Sequence, residues 1–166
     1  MIKLVEINEE RYLKIWPHLQ AVNLLQSYSY GKVLGDLKNL DRLFLEIVSN
    51  NKTVGIISMH LKKIPFLGFA ANISRFPALS RGQNLEEIEE ILPQILDQLK
   101  DLCRAKRIFF LRISPEIPNN FSNKNILKNK AFRKTSKTEW ASGRILLRDD
   151  EEKILMSLNG KWRNCY

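Results

Sequence analysis

Leu43-Phe-Leu-Glu-Ile-Val48, then Ser49-Asn-Asn-Lys52, then Thr53-Val-Gly-Ile-Ile-Ser-Met-His60 follow one another without a break. Both apolar runs have strand length and are rich in β-branched and aromatic residues. Asparagine tolerates the positive φ that a tight turn needs, so Asn50-Asn51 is predicted to close an antiparallel hairpin. Beyond Lys62-Lys63-Ile64-Pro65, residues Phe66 to Ile73 are predicted as a third strand that ends near Pro77.

Working outward, the C-terminal side turns helical. Leu85, Ile88, Ile91 or Leu92, Ile95, Leu99 and Leu102 recur at three- to four-residue spacing, an amphipathic helix with Pro93 as a kink. Asn84 and Glu87 have the spacing of a capping box at its start. Arg107 to Ile113 reads as a buried strand stopped by Ser114-Pro115. A short helix from Asn123 to Lys130, a strand from Trp140 to Leu147 and a helix with acidic start at Asp149 complete the chain. On the N-terminal side, Lys3 to Ile7 alternates as a strand, and Glu9 to Leu19 reads as a helix bent or ended by Pro17. A second helix is predicted over Leu25 to Leu37.

Three consecutive strands, a long helix and a further strand predict an α/β (α+β) fold: a mixed central sheet with helices on both faces. The chain has 166 residues, 44% of them hydrophobic, enough for one domain with its own core. Its net charge of +9 favours polyanionic partners, whether nucleic acid, anionic lipid or a phosphorylated substrate. Cys103 and Cys165 lie far apart in sequence, so neither a disulfide framework nor a zinc site is expected, and a reduced, cytoplasmic setting fits. The first residues interleave charged and apolar side chains, unlike a secretory signal, and no window has the apolar length of a membrane span. Stable membrane insertion is not expected; peripheral attachment at the inner membrane face through the cations is compatible with the charge.

The chemistry-bearing motifs are sparse. Neither G-x-x-x-x-G-K-[ST] nor G-x-G-x-x-G occurs. His18 and His60 stand alone and read as surface or satisfied histidines, no nucleophile elbow is present, and no metal-ligand spacing is seen, so no metal is expected. An enzyme built on this sequence would work by positioning and electrostatics, and its catalytic residues are not identifiable.

The strand order resembles that of the GNAT acyltransferases. The segment nearest to their coenzyme A pyrophosphate loop, [QR]-x-x-G-x-[GA], is Leu79-Ser-Arg-Gly-Gln-Asn84, which has Leu79 and Asn84 at the defining ends. That motif is read as absent, and no cofactor is expected. Gln26-Ser-Tyr-Ser-Tyr-Gly-Lys32 is similar to the Gln-x-x-x-Trp-x-Lys segment of the Fem family of cell-wall aminoacyltransferases, a GNAT-like family that lacks the loop. Ser74-Arg-Phe-Pro77 falls where that family has a [KR]-G-P turn, with Phe76 in place of the glycine. Arg112-Ile-Ser-Pro-Glu-Ile117 resembles its Arg-hydrophobic-x-Pro-Glu strand end. Trp140 to Asp149, followed by Glu151 to Asn164, resembles its mid-chain strand and basic helix.

The resemblance implies transfer of an amino acid from aminoacyl-tRNA to the stem peptide of a UDP-linked or lipid-linked peptidoglycan precursor, in interpeptide-bridge formation. By the same resemblance Lys32 contacts the precursor's pyrophosphate, Tyr30 stands in place of the family's tryptophan, and Arg75 belongs to the substrate site. Gly31 between them is read as allowing close approach of the ligand. Residues 1–148 are expected to form the GNAT-like domain and 149–166 the start of a connecting helix to a missing second half. The chain is then a truncated or partial one, or a homodimer rebuilding the two-lobed site. Two other functions stay open: a coenzyme A-dependent GNAT N-acyltransferase, and a non-catalytic basic RNA-binding module.

Overall fold

The computed structural model describes residues 2–21, 23–80, 85–116 and 121–134, together with Glu152, Lys153 and Met156. The chain divides into a unit Met1–Arg133 and a unit Lys134–Tyr166. The predicted strand at Trp140 to Leu147 and the capping box at Asn84 lie outside the described residues, whereas Glu152, Lys153 and Met156 of the terminal segment are helical.

The first unit is one mixed sheet with helices on both faces, as the sequence implies. Its strands are β1 (Ile2–Ile7), β2 (Leu19–Ala21), β3 (Asp41–Ser49), β4 (Lys52–Ile64), β5 (Gly68–Phe76), β6 (Ala78–Ser80) and β7 (Ile108–Pro115). Its helices are α1 (Glu9–Ile15), α2 (Tyr28–Lys38), α3 (Leu85–Ala105) and α4 (Phe121–Asn129). The main sheet order is β1-β3-β4-β5-β7, with β6 pairing both β4 and β2. All pairs are antiparallel except β5 with β7, whose parallel register runs from Phe69 opposite Ile108 to Phe76 opposite Pro115.

The hairpin forms where the sequence places it: Asn50 and Asn51 both have positive φ, 48° and 61°, joining β3 to β4. Because helices cover both faces, Leu43 through Ile47 are buried in succession, which is why this run is apolar on both faces apart from Glu46 rather than alternating. The odd-numbered side chains Leu43, Leu45 and Ile47 of β3, with Ile57 and Met59 of β4, pack on Leu92, Ile95, Leu96 and Leu99 of α3. Pro93 lies within α3, which runs unbroken from Leu85 to Ala105. The even-numbered Phe44 and Ile56 pack instead on Tyr12 and Ile15 of α1, with Leu19 and Ala78.

Two short strands were not expected. The helix predicted to reach Leu19 ends at Ile15; Trp16–His18 is a 3-10 turn around Pro17, and β2 follows. Pro77 ends β5 as foreseen, but the chain then recrosses β4 as β6, pairing Ala78 with Ile56 and Leu79 with Gly55. Only glycine suits position 55, where a Cβ would stand 2.5 Å from the Ala78 carbonyl oxygen.

Candidate functional site

The segment Asn23 to Lys32 is held by two consecutive caps. The Asn23 side chain accepts from Leu25 N at 3.0 Å and starts a 3-10 turn over Leu24–Gln26. The Ser27 hydroxyl accepts from Tyr30 N at 3.2 Å and starts α2.

Between these caps sits Gln26, which is fully buried. Its amide fills a gap in the sheet. β4 pairs with β5 through His60 opposite Asn72, and with β6 from Ile56 opposite Ala78, which leaves Ser58 outside either register. Gln26 Oε1 accepts from Ser58 N at 2.8 Å, while its Nε2 donates to Ser58 O at 3.3 Å and to Ser74 O. One side chain thus replaces missing strand-to-strand bonds on both sides of the gap. The Gln26 carbonyl in turn accepts from the buried Tyr12 hydroxyl, whose pKa is pushed far above the ordinary phenol value by burial.

α2 lies on the sheet through Gly31 and Gly35, both buried. A Cβ on Gly31 would stand 3.5 Å from His60 Nε2 and 3.7 Å from Ser58 Oγ. At these ordinary contact distances α2 lies close on β4 along its Gly31 face. His60 is buried, and its Nε2 lies 3.3 Å from the Gly31 carbonyl oxygen, making it a satisfied histidine. Burial lowers its pKa, and nearby Arg42 adds to the shift. Ser58 Oγ is buried without a hydrogen-bond partner among the described residues. Arg42 lies 4.6 Å over the Tyr28 ring and 5.3 Å from that of Phe44, so Tyr28 packs against the Arg42 guanidinium.

Of the three residues singled out from the sequence, Tyr30 and Lys32 lie on α2 and Arg75 on β5. Tyr30 is half-buried and Lys32 is exposed. Two positions apart on a helix, they leave α2 on opposite flanks of the Gly31 line. Lys32 makes no ion pair among the described residues. Arg75 is half-buried, with φ of 53°, at the register shift between Ser74 and Phe76 against β7. A non-glycine residue in the left-handed region at a bulge is a locally strained backbone position of the kind that re-aims a side chain. Nearby, Glu116 N donates to Phe76 O at 2.9 Å and extends the parallel pair by one more bond.

A polar pair on the α1 side escaped the sequence reading. Glu46, inside the apolar run of β3, is buried and receives Arg11 Nε at 3.0 Å and Nη2 at 2.6 Å, with Thr53 as a third donor. The Arg11 guanidinium holds its pKa below the ordinary carboxylate value. The visible signal was the acid itself, the only charge within Leu43 to Val48. Arg11, Lys14, His18, Thr53 and Ser80 line a shallow cavity of about 330 Å³ beside this pair. Among the described residues no group of His, Cys, Asp and Glu is arranged to hold a metal.

No family model matches the chain, and no curated protein does. Solved structures do. FemX superposes with a TM-score of 0.69 at 16% identity, over 98% of this chain and 42% of FemX. In fold, the chain resembles FemX. A probable acetyltransferase (TM-score 0.49, 13% identity, 90% of this chain and 99% of that one) is more distant. Glucosamine-6-phosphate N-acetyltransferase from Arabidopsis thaliana is similarly distant (TM-score 0.48, 12% identity, 86% and 98%). The GNAT-like mixed sheet expected from the sequence is the fold observed. The chain spans less than half the length of FemX.

Proposed function

We propose that this chain is a Fem-like acyltransferase unit that moves an aminoacyl group from aminoacyl-tRNA to the stem peptide of a UDP-linked or lipid-linked peptidoglycan precursor. The stem-peptide amine would attack the ester carbonyl. The new amide C–N bond replaces the ester C–O bond, and the proton lost by the amine ends on the released ribose oxygen. Such aminolysis of an activated ester needs alignment and charge stabilisation more than a nucleophilic side chain. The observation that carries the reading is the FemX-like fold over 98% of the chain, with the Gln26 to Lys32 segment as its sequence counterpart.

Within this reading Lys32 takes the pyrophosphate: it is exposed, and its ammonium has no competing carboxylate among the described residues. Because Tyr30 leaves α2 on the other flank, one phosphate does not sit between the two. Tyr30 and Arg75 are assigned to other parts of an extended precursor. The chain corresponds to one of two GNAT-like halves, and the second lobe would come from a further segment or from a second copy.

Calorimetry with the UDP-linked precursor tests the assignment. Lys32→Ala is expected to weaken binding about tenfold, as loss of one charged hydrogen bond does, with an unchanged thermal melt. Equal affinities for wild type and variant would remove Lys32 from the site. A thermal shift with acetyl-CoA but not with the precursor would favour the coenzyme A-dependent alternative.

A further inference from the structure

β4 turns into β5 through Pro65-Phe66-Leu67, closed by Leu67 N donating to Ile64 O at 3.2 Å. Phe66 has φ of 65°, in the left-handed region that bulky residues avoid, and its side chain is fully exposed at 108%; Leu67 is 64% exposed. Neither side chain serves the core. The turn is nevertheless fixed: Gly68, at φ of 108°, lies against the Arg107 carbonyl, which accepts from Phe69 N at 3.0 Å. This holds the apolar pair out at the end of the sheet instead of letting it fold back.

Cations collar the pair. Lys62, Lys63 and Arg107 are exposed. Lys62 Nζ reaches the carbonyls of Lys38 and Asn39 at 3.3 and 3.4 Å, whereas Lys63 and Arg107 have no ion pair among the described residues. Acids among the described residues near this end include Glu6, which Lys106 engages at 2.6 Å, Asp41, opposite Leu61 in the ladder, and Asp36 in the last turns of α2. No described helix is long and apolar enough to cross a membrane.

We propose that this turn is a membrane-surface anchor: Phe66 and Leu67 enter the headgroup boundary of an anionic bilayer while Lys62, Lys63 and Arg107 face its phosphates. The protruding tip, Phe66 and Leu67, is by itself far smaller than a standard protein interface, which covers about 800 Å² per partner. A predominantly cationic rim around an apolar tip suits a laterally uniform anionic surface, where apolar insertion and charge attraction add without shape complementarity. The inference is independent of the transferase reading.

The test is co-sedimentation of the full 166-residue chain with phosphatidylcholine vesicles, with and without phosphatidylglycerol, at low and near-physiological salt. Binding is expected only to the phosphatidylglycerol vesicles and should weaken as salt screens the collar. The double variant Phe66→Ser/Leu67→Ser should reduce partitioning at least about tenfold, and Lys63→Ser about fivefold. Thermal melts should not change, since these side chains are exposed. A Phe66→Trp reporter should shift its emission to the blue on anionic vesicles. Wild-type binding that is absent at low salt, equal on neutral vesicles, or unaltered in the double variant would overturn the proposal. So would a reporter whose emission does not move.

Discussion

The two faces of the sheet are built on opposite principles. Against α3, the packed residues are aliphatic: Leu45, Ile47, Ile57, Met59 and Ile73 meet Leu92, Ile95, Leu96 and Leu99. Against α1 and α2, the same strands present buried polar groups, namely Glu46, the Ser58 backbone and His60, met by Arg11, Gln26 and the Gly31 carbonyl. The first face is held by removal of apolar area from water, which is insensitive to orientation. The second depends on satisfied hydrogen bonds, which fix position and fail as a group. The candidate substrate residues Tyr30 and Lys32 stand on the helix that the second face orients.

This contrast can be broken from either side. On the α3 face, Leu96→Ala should cost about 3 kcal/mol in urea unfolding by leaving a cavity, with a normally positioned α2. On the other face, Gln26→Ala should cost about 2 kcal/mol, because the Ser58 and Ser74 groups lose their partners. Gln26→Met sharpens this comparison: it keeps the volume but removes both donor and acceptor, so a similar loss shows that bonding rather than volume is responsible. If the aliphatic and amide variants perturbed the Lys32 environment equally, as read by amide hydrogen exchange in α2, the distinction between the faces would fail.

The smallest effect concerns acid. The folded pKa of Glu46 lies below its unfolded value, chiefly through the Arg11 hydrogen bonds. Its contribution is therefore complete above the ordinary glutamate pKa of about 4.3 and is lost as pH falls through the folded value. Glu46→Gln should cost about 1 kcal/mol at neutral pH, since Arg11 is itself half exposed, and should flatten the decline of stability in acid. An unaltered acid limb in pH-series urea melts would show that the pair contributes nothing to it.

Much of the fold was legible because its determinants are local. Asn50-Asn51 announces a turn with positive φ, and the spacing of Leu92, Ile95 and Leu99 announces the buried face of α3. The segments β2 and β6, three residues each, were not legible, since they exist only by pairing with each other and, in the case of β6, with β4. The role of Gln26 was hidden for the same reason. Its partners lie 32 and 48 residues away, and no periodicity encodes such a bond. The sequence marked Gln26 only as the first residue of a motif whose interest lay at Lys32.

The Gln26 bridge also carries a consequence for the order of assembly. The β3–β4 hairpin closes across a two-asparagine turn, whereas β5 and β7 meet only after the whole of α3 has been traversed. Local pairings form fast and distant ones slowly. Gln26 precedes both of its partners in the chain, so a nascent polypeptide must keep this amide uncommitted until β4 and β5 have arrived. An agent that traps the chain before β5 docks is expected to leave the hairpin formed, with α2 held to β4 by the Ser58 and His60 bonds but without the Ser74 anchor.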